Sequence, residues 1–185
     1  KNIIITGPNA GGKSTVLKAA TINLILAQTF GVAAAKKIRF TPFSKIATYL
    51  NIVDDIGQGN SLFKSEVLRT QGLIKTIEAL DKNQFSFLAI DEMFSGTSPE
   101  EGASAAYGVA KYLGKIDNSL CMIATHFKEL TDLESVSSYT NYKVLVDFDE
   151  DGNVIFPFKL TRGISTQNIA FKILESEGFD IQILD

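Results

Sequence analysis

The chain carries a single cysteine, Cys121, so it cannot form an internal disulfide. A disulfide-held scaffold is excluded, and nothing points to an oxidising compartment. Cys121 lies in the apolar run 120–124 and reads as a small buried hydrophobe. An excess of positive charge is also lacking: 18 Lys and Arg stand against 21 Asp and Glu, a formal net charge of −3. Surfaces that grip nucleic acid by its phosphates carry surplus Lys and Arg. Any DNA contact is therefore local or belongs to another part of a longer protein. No long apolar run is present. The nearest approach, residues 16–35, is interrupted by Lys18, Asn23 and Gln28. A membrane span needs about 20 mainly apolar residues, so this stretch reads as a buried helix. No signal peptide, internal repeat or low-complexity linker is visible, and a cytoplasmic chain without membrane contact is expected. There is no initiator Met, and an apolar strand begins at once with Asn2-Ile3-Ile4-Ile5-Thr6. Such a strand needs neighbours on both sides. The expectation is a fragment of a longer protein, forming one domain over residues 1–185.

What is present suffices for one sizeable core: 45% of the residues are hydrophobic and 21% charged. Short buried strands are expected at 3–6, 85–90 and 120–125, and a further strand at 46–53. Helices are expected at 14–30, 61–80, 100–113 and 166–177, with a short one at 127–133. Segments 142–148 and 154–160 alternate more, and Glu150-Asp151-Gly152-Asn153 between them signals a hairpin. Buried strands alternating with helices predict an α/β fold. Its sheet is mostly parallel and covered by helices, with an antiparallel hairpin added near the C-terminus.

Gly7-Pro8-Asn9-Ala10-Gly11-Gly12-Lys13-Ser14 matches the phosphate-loop pattern G-x-x-x-x-G-K-[ST] in full. It follows an expected strand and opens an expected helix, which a chance glycine-rich turn would not do. Glycines let successive backbone N–H groups converge on phosphate oxygens, and the helix N-terminus adds to the anion site. Lys13 supplies a mobile charge for the β- and γ-phosphates, and the Ser14 hydroxyl ligates Mg²⁺. The ligand expected is ATP or ADP with Mg²⁺, and the fold expected is a P-loop NTPase.

The apolar strand Phe87-Leu88-Ala89-Ile90 ends in Asp91-Glu92. Beside a phosphate loop, Asp91 can hold the Mg²⁺ shell. Glu92 can orient and polarise the attacking water as general base. A solvated acidic pair at a strand end is the competing reading. His126, the only histidine, follows a third buried strand. Parallel strands place their carboxyl ends on one edge, where ligands bind, so Ser14, Asp91, Glu92 and His126 are expected together. His126 could donate a hydrogen bond to the γ-phosphate or the water. Its competing reading is a satisfied core histidine.

These residues resemble a known family. The run from Gly7 to Thr15 is similar to the phosphate loop of MutS-type mismatch-repair ATPases, with Ala10 where that family has Met. Asp54-Asp55-Ile56-Gly57-Gln58-Gly59-Asn60-Ser61-Leu62-Phe63-Lys64-Ser65-Glu66 resembles its segment between the first helix and the Walker B strand. Asp91-Glu92 with Gly96-Thr97-Ser98 resembles Walker B and its loop, and Ala124-Thr125-His126-Phe127 with Glu129-Leu130 its switch histidine segment. Residues 163–178 resemble its closing helix. The resemblance implies an ABC-type ATPase architecture that pairs head to tail with a second copy or a paralogue. The Ser61 region of one subunit completes the nucleotide site of the other, and DNA is bound by upstream domains. Stacking on the adenine is implied for residues before Lys1. Asn60 and Leu62 stand where the family has Arg and Thr, which alters the cross-dimer contact in the manner of a divergent paralogue.

Two other classes compete. A transport or chromosome-maintenance cassette of the ABC type shares the fold, but Asn60-Ser61-Leu62-Phe63 is not an L-S-G-G-Q signature. A small-molecule P-loop kinase would carry a lid-like Arg cluster, whereas Arg39, Arg69 and Arg162 are scattered.

Overall fold

The computed structural model describes residues 1–50, 62–150, 153–166, 174 and 178. β1 (Asn2–Thr6) leads through a glycine turn into α1 (Lys13–Phe30). β2 (Lys45–Tyr49), α2 (Leu62–Glu78), β3 (Ser86–Asp91), α3 (Pro99–Leu113) and β4 (Ser119–Ala124) follow. A 3₁₀ turn at Lys128–Asp132 precedes the single-turn α4 (Leu133–Val136). Then come β5 (Tyr139–Val144), β6 (Asp147–Phe148), β7 (Val154–Ile155) and β8 (Leu160–Arg162). Six of these strands form one sheet in the order β2-β3-β4-β1-β5-β8. Every pairing in it is parallel except that of β8 with β5.

The central strands are continuous apolar runs because helices lie on both faces of the sheet. Successive side chains alternate between two cores. Ile4, Leu88, Ile90, Cys121 and Ile123 pack with Ala103, Ala106 and Ala110 of α3. Ile5, Phe87, Ala89, Met122 and Ala124 pack on the other face against Leu17 of α1. Cys121 is fully buried as expected, and burial pushes its thiol up to about 12. Register then aligns the strand ends: Asp91 lies opposite Ala124, and Ala124 opposite Ile5. Whatever leaves β1, β3 and β4 at their carboxyl ends emerges along one edge.

One expectation is corrected. The segment 16–35 is not a buried helix. α1 buries only Lys13, Leu17 and Thr21, while Ile22 and Ile25 face outward. One stripe suffices because the helix covers a single face of the sheet, and no described element lies on its outer side. The C-terminal hairpin is observed as expected. Residues 139–144 join the main sheet parallel to β1, while within the hairpin Tyr142–Val144 pairs antiparallel with Leu160–Arg162 and β6 with β7. Asp149 holds their turn, its carboxylate accepting the Asn153 N–H at 2.7 Å. Strand 46–53 is observed as β2, and helix 61–80 as α2. Residues 51–61, and nearly all of the expected helix 166–177, lie outside the described residues. No described helix is long and apolar enough to cross a membrane.

Candidate functional site

The site begins where β1 ends. Gly7 takes φ 136° and Gly12 φ 87°, the region that disfavours any residue with a Cβ. Space forbids one as well: a Cβ on Gly7 would lie 2.3 Å from Val144 Cγ2 of β5. Between them Gly11 N–H bonds Pro8 O at 3.0 Å, closing a 3₁₀ turn at Asn9–Gly11. Asn9 and Ala10 stand exposed at its crest, Pro8 and Ser14 are half-buried, and Thr15 is exposed on α1.

Lys13 bends back under this turn and is only 2% exposed. Its Nζ donates to Gly7 O at 2.9 Å and Asn9 Oδ1 at 3.0 Å. Glu92 Oε1 lies 3.6 Å away. Burial drives the Lys13 pKa below its ordinary value, and the carboxylates of Glu92 and Asp91 oppose that shift.

β3 delivers the two acids at the same edge. Asp91 Oδ1 is buried without a hydrogen-bond partner. Such an orphaned carboxylate oxygen is costly unless something binds it. Among the described residues, no three His, Cys, Asp or Glu side chains converge on a cation position. Mg²⁺ is held by one or two protein oxygens and keeps waters and phosphate oxygens as its other ligands, and the orphaned Asp91 Oδ1 is an oxygen of that kind. Glu92 adopts φ 51°, and its N–H bonds Ala124 O at 3.0 Å. A non-glycine residue in that region costs about 1–2 kcal/mol. Here the strain turns the carboxylate back toward Lys13.

β4 delivers the imidazole. Thr125 is buried, and its hydroxyl accepts the Phe127 N–H at 3.0 Å. His126 is thereby turned out of the sheet, with its side chain 48% exposed. It is not a core histidine. Its Nδ1 lies 3.9 Å from Glu92 Oε1. The structure thus brings Lys13, Glu92 and His126 around one carboxylate oxygen, with Asp91 next in the chain. Ser61 lies outside the described residues.

The sequence model of MutS domain V matches residues 3–185. The chain belongs to the MutS domain V family. The DNA mismatch repair protein MutS of Halothermothrix orenii is 32% identical over 184 residues, covering 98% of this chain and 20% of the relative. Those of Clostridium perfringens and Streptococcus agalactiae serotype Ia are each 31% identical, covering 99% and 98% of this chain. The chain spans about a fifth of the length of the curated relatives it matches.

Two features of this MutS domain V chain were not foreseen from its sequence. Glu66 of α2 is buried, and its carboxylate accepts hydrogen bonds from Ser95 and Gly96 in the loop after Glu92. The available signal was a charge on the helix face that also carries Phe63, Thr70, Leu73 and Ile77. Phe158 is the second. It takes φ 51°, stays exposed, and its Cδ1 lies 3.0 Å from where a Gly12 Cβ would stand. Nothing in the periodicity of its segment marks it, because its position depends on the fold-back of residues 153–166 over the glycine turn.

Proposed function

We propose that residues 1–185 form a single domain, a P-loop ATPase of ABC-type architecture, which binds ATP and hydrolyses it with Mg²⁺. The observation that carries this is the buried Lys13 amine beneath a glycine turn, 3.6 Å from an acid presented by the neighbouring β3. A buried ammonium is costly unless paired, and the partners that hold Lys13 here all belong to the glycine turn and the β3 acid.

Backbone N–H groups of the Gly7–Ser14 turn cradle the phosphates, with Pro8, Asn9, Ala10, Gly11 and Gly12 shaping it and Thr15 following on α1. Lys13 exchanges Gly7 O and Asn9 Oδ1 for phosphate oxygens. Ser14 and Asp91 are the residues that would hold Mg²⁺, whose charge neutralises the phosphates when bound. Glu92 orients the attacking water and takes its proton. His126, near the Glu92 carboxylate, donates to the terminal phosphate or to that water. Phe158 offers the base an exposed ring.

The domain serves as the nucleotide-driven dimerising part of a MutS-like DNA mismatch repair protein in the cytoplasm. It pairs head to tail with a second copy or a paralogue, whose Ser61 completes the site. DNA is held by parts of the protein outside this chain. The names of the relatives support this assignment, as does the absence of a positive charge excess.

Glu92→Gln should retain ATP and lose phosphate release, while Lys13→Ala should lose ATP binding. Fluorescent-nucleotide titration and a phosphate-release assay read the two separately. Tight ATP affinity in Lys13→Ala would falsify the phosphate-loop assignment.

A further inference from the structure

We infer that Glu66 is a positioning residue for hydrolysis, clamping the 92–96 turn to the first turns of α2 and so fixing the aim of the Glu92 carboxylate. This rests on Glu92 serving as the base.

The Glu66 carboxylate is 1% exposed. Three hydrogen bonds join it to one turn: Oε1 accepts from Ser95 N–H at 3.0 Å and Ser95 Oγ at 3.2 Å, and Oε2 accepts from Gly96 N–H at 3.0 Å, while the buried Tyr49 hydroxyl of β2 faces the same carboxylate. Among the described residues no cation pairs with it. Buried charge is expensive, and an apolar residue of similar size fills a core position at lower cost. Packing alone therefore does not explain a carboxylate here.

The turn it grips is strained at two positions, Glu92 with φ 51° and Phe94 with φ 58°. Non-glycine residues stay in that region only where their surroundings over-determine them. Upstream, the Glu92 N–H is tied to Ala124 O of β4. Downstream, α2 supplies the restraint. The Phe94 ring meets Phe63 at 5.9 Å between centroids. Gly96 lies so close that a Cβ there would fall 2.8 Å from both Leu62 Cγ and the Phe63 backbone nitrogen. Glu66 closes this contact with its three bonds. The strained residue that carries the base thus sits between two anchors, one on the sheet and one on α2. Releasing the α2 anchor lets the turn relax toward ordinary φ and carries the carboxylate away from Lys13 and His126.

The test uses the full-length protein with Glu66→Gln, which keeps the size but replaces one acceptor with a donor facing an N–H. Steady-state kcat should fall by about a hundredfold, as for a small misplacement of a reacting group. ATP affinity and Tm should stay near the parent values. Placed on Glu92→Gln, the same substitution should cost no further rate, since Glu66 acts through Glu92. Glu66→Asp, which keeps a carboxylate, should recover part of the rate. Should Glu66→Gln fail to fold, Ser95→Ala removes one of the three bonds at an exposed residue and should show the same kcat loss on a smaller scale. Parent kcat in a folded variant, or a lowered Tm with kcat intact, overturns the inference. So does an equal further loss on Glu92→Gln. Glu92→Gln hydrolysing at the parent rate sinks the base reading itself, and the clamp loses its target.

Discussion

Lys13 joins a buried charge to an acidic neighbour, and its pH response shows which dominates. Burial, the larger cause, holds its pKa below 10.5. Between its folded value and 10.5 the native chain binds fewer protons than the unfolded chain, so stability rises with pH there. Charged Lys13 thus costs the nucleotide-free fold stability at neutral pH, and the cost fades as the amine deprotonates. Lys13→Met should melt above the parent at neutral pH, and the gap should close as pH approaches 10.5 in thermal scans without nucleotide. A variant melting below the parent throughout would mean that the contacts to Gly7, Asn9 and Glu92 outweigh burial. Phe158 is a second single-residue case. Base–aromatic stacking contributes about 1–3 kcal/mol, so Phe158→Ala should weaken ATP roughly tenfold. Inorganic triphosphate, which lacks a base, should bind both proteins alike. Equal losses for the two ligands would assign Phe158 to the shape of the glycine turn instead.

α3 enters closely beneath the strained turn. A Cβ at Gly102 would lie 2.5 Å from Phe94 O and 3.0 Å from Phe127 Cζ, whereas one at Gly108 of the same helix meets nothing within 4 Å. Gly102→Ala should destabilise by about 1–3 kcal/mol through overpacking. Gly108→Ala should stabilise by up to about 1 kcal/mol through helix propensity. Denaturant melts of the pair carry their own control, and a neutral Gly102→Ala would mean that α3 can back away. The same packing explains what was legible in the sequence. β1, β3 and β4 were readable because a strand covered on both faces has little choice but an unbroken apolar run. Their ends carried Gly7, Asp91-Glu92 and His126, so the convergence was readable too. Periodicity gives a helix face but not the neighbour that covers it, so the open side of α1 was missed. Alternation marked 142–148 and 154–160 as the arms of a hairpin, but it could not show that the first arm also pairs parallel with β1. The grip of Glu66 on Ser95 spans 29 residues, and the left-handed twist at Glu92 depends on that grip. Neither leaves a local pattern.

At the scale of the whole molecule, the candidate site is one-sided among the described residues. Lys13, Glu92 and His126 approach from a single sheet edge, with the His126 side chain 48% exposed. Hydrolysis benefits from excluding water and from donors placed around the developing charge. The described residues close one flank, and in the proposed head-to-tail dimer Ser61 of the partner subunit would close the other. Such a dimer has two equivalent shared sites, each built from different parts of the two subunits. Lys13→Ala and Ser61→Ala should each be inactive alone, the first through its own nucleotide and the second through its partner's. In a heterodimer of the two, one site combines both defects, and the other combines the intact phosphate loop of the Ser61 variant with the intact Ser61 of the Lys13 variant. Random mixing at equal amounts makes half of the dimers mixed, so about a quarter of all sites should work. Phosphate release measured across a mixing series should peak at equal proportions and vanish at both ends. A flat line at zero, with both variants folded and shown to associate, would leave each chain catalysing alone or not at all.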